Sequence, residues 1–401
     1  MARHLRSVFL AVALVAFCYA GCARTVRTRA HPTAGGLITT VAGSGEEGYS
    51  GDGGLAIKAK VDCSGLAVGP DGSLYIADAS HQRVRKVDRK GIITTVAGDG
   101  WSELGASYRG RFRGDGGPAT KASLDRPCDV AVDSQGNLYI ADSRNQRIRK
   151  VDRKGIITTV AGDGWSREVM HWPMGGPPGY PVREGRFAGD GGPATKASLH
   201  NPTELELGPD GSLYILDDGS HRVRKVDSRG IVTTVAGIGG RGMAVGPDGS
   251  VYTSDTYAHR VHRVSPSGMM TVAAGDGWTA KAEHRNWFAA VAYRPRGRFR
   301  GDGGPAVKAS LNWPEGLAVA PDGSLFIADT GNGRIRMVNP AGMITTVSGS
   351  GKDIYLGDGG PATKAALGHP EHVAVGPDGS LHISAGNRVR KVTWPASRRK
   401  R

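Results

Sequence analysis

The feature that most constrains this chain is a repeat divided between its two ends. A unit of four short runs, here called A to D, recurs along the sequence. Run A falls near Leu66, Val130, Leu205, Met243, Leu317 and Val373. Run D follows the first five copies, at Ile92, Ile156, Ile231, Met269 and Met343. The sixth copy stops at Trp394-Pro395, and its missing run stands at the other end as Gly36-Leu37-Ile38-Thr39-Thr40-Val41-Ala42-Gly43. An open array has no reason to split a repeat. A ring does, because pairing the two ends removes exposed strand edges. The runs are rich in β-branched and apolar residues and are divided by Gly, Asp, Asn and Ser, which leaves no room for a sizeable helix. The expectation is an all-β fold, a six-bladed β-propeller of four-stranded antiparallel blades, closed by an N-terminal strand that completes the last blade. The 401 residues could otherwise make two or three ordinary domains, but the repeats make residues 35–395 one domain. The 62 glycines follow no collagen period and suit many tight turns.

The motifs Leu74-Tyr75-Ile76-Ala77-Asp78 and Arg83-Val84-Arg85-Lys86-Val87, with their copies, resemble NHL repeats. The leader Gly114-Asp115-Gly116-Gly117-Pro118-Ala119 resembles that of exported bacterial NHL proteins. The resemblance implies the six-bladed propeller; it implies no single activity. Residues that recur with the period read as blade builders. The aspartates at 78, 142, 217, 255 and 329 end run B, each five residues before an Arg with which it can pair. The leader aspartates at 52, 115, 190, 302 and 358 read as turn caps, with calcium binding as the alternative. Cys63 and Cys128 hold nearly equivalent places in neighbouring blades, where an exported protein permits a disulfide; two buried thiols are the alternative.

The N-terminal end reads as an export signal over residues 1–21. Arg3, His4 and Arg6 precede the uncharged run Val8 to Ala20, which is shorter than the roughly 20 residues a spanning helix needs. Tyr19-Ala20-Gly21-Cys22 resembles a bacterial lipobox, with Tyr19 where an aliphatic residue is usual. That resemblance implies lipidation of Cys22 and, with Ala23 next, an outer-membrane lipoprotein. An ordinary cleaved signal and a periplasmic protein are the alternative. Residues 22–34 read as a tether and 396–401 as a basic tail. A net charge of +15 favours anionic partners, and export argues against nucleic acid.

Function is sought where the period breaks. The connections 99–113, 163–188 and 276–300 are long, and blade topology puts all three on one face, the top. They carry aromatic faces able to stack on sugars and arginine forks able to hold carboxylate or sulfate. The candidate ligand-binding residues are Trp172, Trp287, Arg111, Arg183, Arg186, Tyr293, Arg296 and Arg298, with Trp313 beside the channel. Trp101, Trp165 and Trp278 share a Gly-Asp-Gly-Trp opening and read as loop packing. Near the expected channel mouth stand Cys128-Asp129, Thr203-Glu204, Arg241, Trp313, Glu315, Glu371 and His372, and Glu206 replaces the usual Ala of run A. Glu204, Glu206, Glu315 and His372 form the candidate site for a divalent cation, calcium first, against a solvated polar rim. Six-bladed lactonases resemble this in placing a metal at the channel mouth. No nucleophile elbow, paired His-x-x-x-His or phosphate loop is present. The expectation is therefore a monomeric, non-catalytic binding or scaffold module for a protein or an acidic glycan. The alternative is a metal-dependent hydrolase or lyase acting at the mouth.

Overall fold

The computed structural model describes residues 35–102, 110–171, 180–279 and 297–395. They form six four-stranded antiparallel sheets; in five the strands run in chain order from the channel outward, and in the sixth the N-terminal strand is outermost. The inner strands are Gly65–Val68, Pro127–Val132, Pro202–Leu207, Met243–Val245, Pro314–Val319 and Pro370–Val375. The last sheet is completed by Leu37–Ala42, which pairs antiparallel with Val389–Thr393 in the register Leu37 to Thr393 and Ile38 to Val392. The ring is thus closed between the two ends of the repeat array, and no blade is left with a missing strand. A two-stranded hairpin, Arg167–His171 with Tyr180–Glu184, rises from the second long connection.

The apolar core lies between blades. Alternation along each strand presents apolar side chains to both faces of a blade, and each face packs on its neighbour. One cluster joins Tyr75, Ala77, Val84 and Ala97 of blade one to Leu124, Val130, Leu138 and Ile140 of blade two. The closing blade is held in the same way, with Ile38 and Val392 against Phe326 and Ile335 of blade five. Among the described residues no helix is long and apolar enough to cross a membrane.

An outer frame of buried charge ties each leader to its blade. Arg85, Arg149, Arg224, Arg336 and Arg390 are fully buried. In blade two, Arg149 reaches the leader Asp115 at 2.6 Å and Asp142, at the end of run B, at 3.2 Å. Asp115 also accepts from the Thr159 amide at 3.1 Å and the Thr159 hydroxyl at 2.6 Å. Phe112 lies under both Arg147 and Arg149, 3.9 and 4.7 Å from its centroid. The leader carboxylate is therefore filled by arginine and threonine, which favours the structural reading over calcium. The ion pair of Asp142 is made seven residues on, not five: Arg147 sits directly opposite it in register, and its side chain turns to backbone carbonyls.

Blade four departs from this frame. Its link from blade three is only residues 237–242, with no leader and no aromatic. His262 stands opposite Thr253, where the other blades place the buried arginine opposite Ile or its equivalent. With no leader along its outer strand, Met269 and Met270 are exposed. Cys63 and Cys128 are free thiols rather than a bridge. Cys63 faces the inter-blade core with Leu66 and Ile76, whereas Cys128 lines the channel mouth.

Candidate ligand site at the channel mouth

All six blades contribute to one open cavity of about 1120 Å³ where the inner strands begin. Arg126, Asn201, Arg241, Trp313, Glu315 and Glu371 are the side chains that give it its chemistry. Turns between the second and third strands close its outer edge, through Asp218 and Gly331.

Three of these residues are held in an unusual backbone conformation. Arg126, Asn201 and Trp313 each have φ of +52°, in the left-handed region that a side chain with a Cβ disfavours. The preceding blade holds each in place. The Arg126 amide donates to Gln82 Oε1 at 2.6 Å, the Asn201 amide to Gln146 Oε1 at 2.6 Å, and the Trp313 amide to His259 Nδ1 at 3.1 Å. Each of the three precedes a proline that opens an inner strand. That shared X-Pro position is the sequence signal that would have added Arg126 and Asn201 to Trp313 as mouth residues.

The rim holds both acid and base. Arg241 Nη1 lies 3.4 Å from Glu315 Oε1. Burial, helped by the charge of Glu315, pushes the Glu371 carboxyl up. Below the rim the channel narrows to about 220 Å³ and is walled by the inner strands, with Asp129, Glu204, Glu206 and His372 among apolar neighbours. Burial pushes Asp129 up to about 7 and Glu206 up to about 8. It also pushes Glu204 well up, reinforced by Asp129, and His372 down to about 4. Glu206 stands where the other five blades place Ala67, Ala131, Ala244, Ala318 and Ala374.

The candidate residues divide sharply by position. Trp313 lines the mouth. Arg111, Arg186 and Arg298, expected to grip ligand, are instead used inside their own loops. Arg111 stacks on Trp101 at 4.4 Å and donates to Ser123, which donates in turn to Asp99. Arg186 repeats this with Trp165, Ser198 and Asp163, and Arg298 with Trp278, Ser310 and Asp276. The cause is local: the shared Gly-Asp-Gly-Trp turn places its Asp and Trp beside the arginine that follows. Trp172, Trp287, Tyr293 and Arg296 lie outside the described residues, as do Cys22 and the ends at 1–34 and 396–401. Arg183 pairs with Glu168 along the hairpin backbone; its side chain is not among those described. Of the four candidate cation ligands, Glu204 and His372 come together, joined by Asp129. Glu315 is drawn off to Arg241 at the rim. Glu206 lies two residues further along the same strand, deeper in the channel.

Residues 38–108, 108–175, 167–242 and 294–356 match the family model described as the Teneurin NHL domain. Teneurin-1 of Gallus gallus is 31% identical over 300 residues, which are 68% of this chain and 10% of that protein. This chain thus spans about a tenth of the length of the curated relatives it matches. A structural genomics protein of unknown function from Bacteroides thetaiotaomicron superposes with a TM-score of 0.61 at 16% identity, covering 90% of this chain and 76% of that one. An auxiliary nutrient binding protein of the same species gives 0.56 at 17%, with the same coverage. At these identities the solved structures share the fold.

Proposed function

Because the chain belongs to the NHL-repeat propeller family, as a match to the Teneurin NHL domain, we propose that it is an exported, non-catalytic binding module whose channel mouth takes an acidic glycan. The observation that carries the reading is the set of strained residues lining one large cavity. Arg126, Asn201 and Trp313 hold left-handed backbone conformations that cost about 1–2 kcal/mol each for residues other than glycine. Such cost gathers where a side chain must be aimed. An aromatic face, two arginine forks and an amide around one opening are the donors that sugar rings and their carboxylates or sulfates require. The net charge of +15 draws such ligands, and the apolar run Val8 to Ala20 supports export.

The seat of binding moves from the outer loops to the mouth, because the described loop arginines are already engaged. Arrays of uronate- and sulfate-bearing oligosaccharides, probed with the whole protein, test this. Binding that falls at least tenfold (about 1.4 kcal/mol) in both Trp313→Ala and Arg126→Ala is expected. Binding to none of them, or undiminished binding by both variants, overturns it. The hydrolytic reading has one observation in its favour, the carboxylate–imidazole group beneath the mouth. It requires turnover that a Glu204→Gln variant loses.

A further inference from the structure

One layer of the channel is built from a single repeat position, the residue just before the apolar pair of each inner strand. Around the ring it reads Gly65, Asp129, Glu204, Gly242, Gly316 and His372. The three glycines are there because the backbones close in. A Cβ on Gly65 would lie 2.5 Å from the Cys128 carbonyl oxygen. One on Gly242 would lie 2.1 Å from that of Glu315, and one on Gly316 2.5 Å from that of Glu371. The three remaining blades use the same position to send an imidazole and two carboxylates into the channel, and their ligand atoms all lie within 4.8 Å of one another.

These side chains lack the partners that buried charge normally has. Glu204 is 7% exposed and accepts no hydrogen bond among the described residues; its ion-pair contact is His372 Nε2 at 3.6 Å. Asp129 is 4% exposed and accepts only from backbone amides, that of Leu205 at 2.9 Å and that of Val130. Neither carboxylate is paired with Lys or Arg among the described residues. Two buried carboxylates facing each other without a cation are costly. One divalent ion would remove that cost.

We propose that Asp129, Glu204 and His372 bind a divalent first-row transition ion of the zinc or manganese class at the throat of the channel. An imidazole with two carboxylates suits such an ion, whereas calcium takes oxygen ligands throughout. Ligand atoms around a tetrahedral zinc stand roughly 3.3 Å apart, so the three side chains draw inward by rotamer-scale movement. Three protein ligands leave coordination positions open, and the mouth cavity lies directly above them, since Glu204 and His372 line both spaces. The proposal is independent of the glycan reading and stands or falls on metal binding alone.

The test is calorimetric titration of the whole protein, freed of metal with a chelator, using zinc, manganese and calcium chlorides separately. Zinc or manganese is expected to bind with one equivalent and to raise the melting temperature. Glu204→Gln and His372→Ala should each bind at least about tenfold more weakly. Glu47→Gln, an exposed carboxylate away from the channel, should bind as the parent does. Loss of binding is separated from misfolding by the metal-free melts, in which Glu204→Gln should be at least as stable as the parent because it replaces a buried carboxyl that accepts no hydrogen bond with a neutral amide. Cobalt gives a second readout, through visible absorption present in the parent and lost in His372→Ala. No binding above background, parent-like binding by both variants, or tighter binding of calcium than of zinc overturns the assignment.

Discussion

The frame around the outside of the ring and the wall of its channel both bury charge, but they do so in opposite ways. In the frame every charge has an answer: Arg149 meets Asp115 and Asp142, Asp115 meets Thr159, and Arg336 meets Asp302 and Asp329. In the channel, Asp129, Glu204 and Glu206 lie close together with no Lys or Arg paired to them among the described residues. The difference separates construction from use. Matched charge repeats with the blades and holds leaders to strands, whereas unmatched charge occurs once and destabilises the empty fold. Removing a charge should therefore have one sign in the frame and the other in the channel.

The largest expected effect is in the frame. Arg149→Ala leaves Asp142 fully buried without its cation, and breaking such a pair costs about 3–5 kcal/mol. Chemical denaturation measures it. His262→Ala is the internal control, because blade four has no leader for that position to hold, and it should cost well under half as much. Equal losses in the two variants would break the distinction between a frame residue and its substitute.

His382 is a mismatch within the closing blade. It takes the place that Tyr75, Tyr139 and Tyr214 hold beneath Lys86, Lys150 and Lys225. Its Nδ1 is buried without a hydrogen bond, and burial pushes the imidazole down to about 4. The unfolded chain takes up a proton at this residue near pH 6.5, while the folded protein does so only near 4. Its contribution to stability is therefore full above pH 6.5 and is lost as the pH falls toward 4. His382→Tyr should gain up to about 2 kcal/mol over the parent at pH 5 relative to pH 8. Denaturation curves for both proteins at the two values read the difference, and an equal gap at both would remove His382 from the account.

The same contrast explains what the sequence made legible. Fold and closure were readable because they are periodic: six inner runs against five outer ones left one arrangement that pairs every edge. The mouth was harder, because its residues are defined by departure from the period. The loop arginines 111, 186 and 298 looked like ligand forks, yet a turn shared by three loops had already placed a tryptophan and an aspartate beside each. Asp129 was visible near the mouth but not as a partner of Glu204 and His372. That grouping depends on three blades meeting across the channel, which composition and local spacing do not report. Reading one repeat position around the ring, Gly against Asp, Glu and His, carries that information.

In the channel the sign should reverse. Glu206→Ala restores the alanine of the other five blades and removes a carboxyl that burial pushes up to about 8. It should stabilise the metal-free protein by about 1 kcal/mol at neutral pH. A loss would mean that Glu206 has a structural partner and that channel charge is no different from frame charge.

The smallest effect sharpens the comparison most, because it sets strain against use in a single residue. Arg126→Gly keeps the amide that donates to Gln82 and removes the Cβ that makes φ of +52° costly. Relief of about 1–2 kcal/mol is offset by the roughly 0.5–1 kcal/mol that glycine adds in unfolded-chain entropy, so stability should rise by about half a kcal/mol. Glycan capture should fall in the same variant. Arg113→Ala, an exposed side chain at the end of the same loop, should change neither. A mouth residue whose removal strengthens the fold and weakens binding is held there for the ligand. If Arg126→Gly weakens the fold instead, the arginine belongs to the frame, and the division of the molecule must be redrawn at the rim.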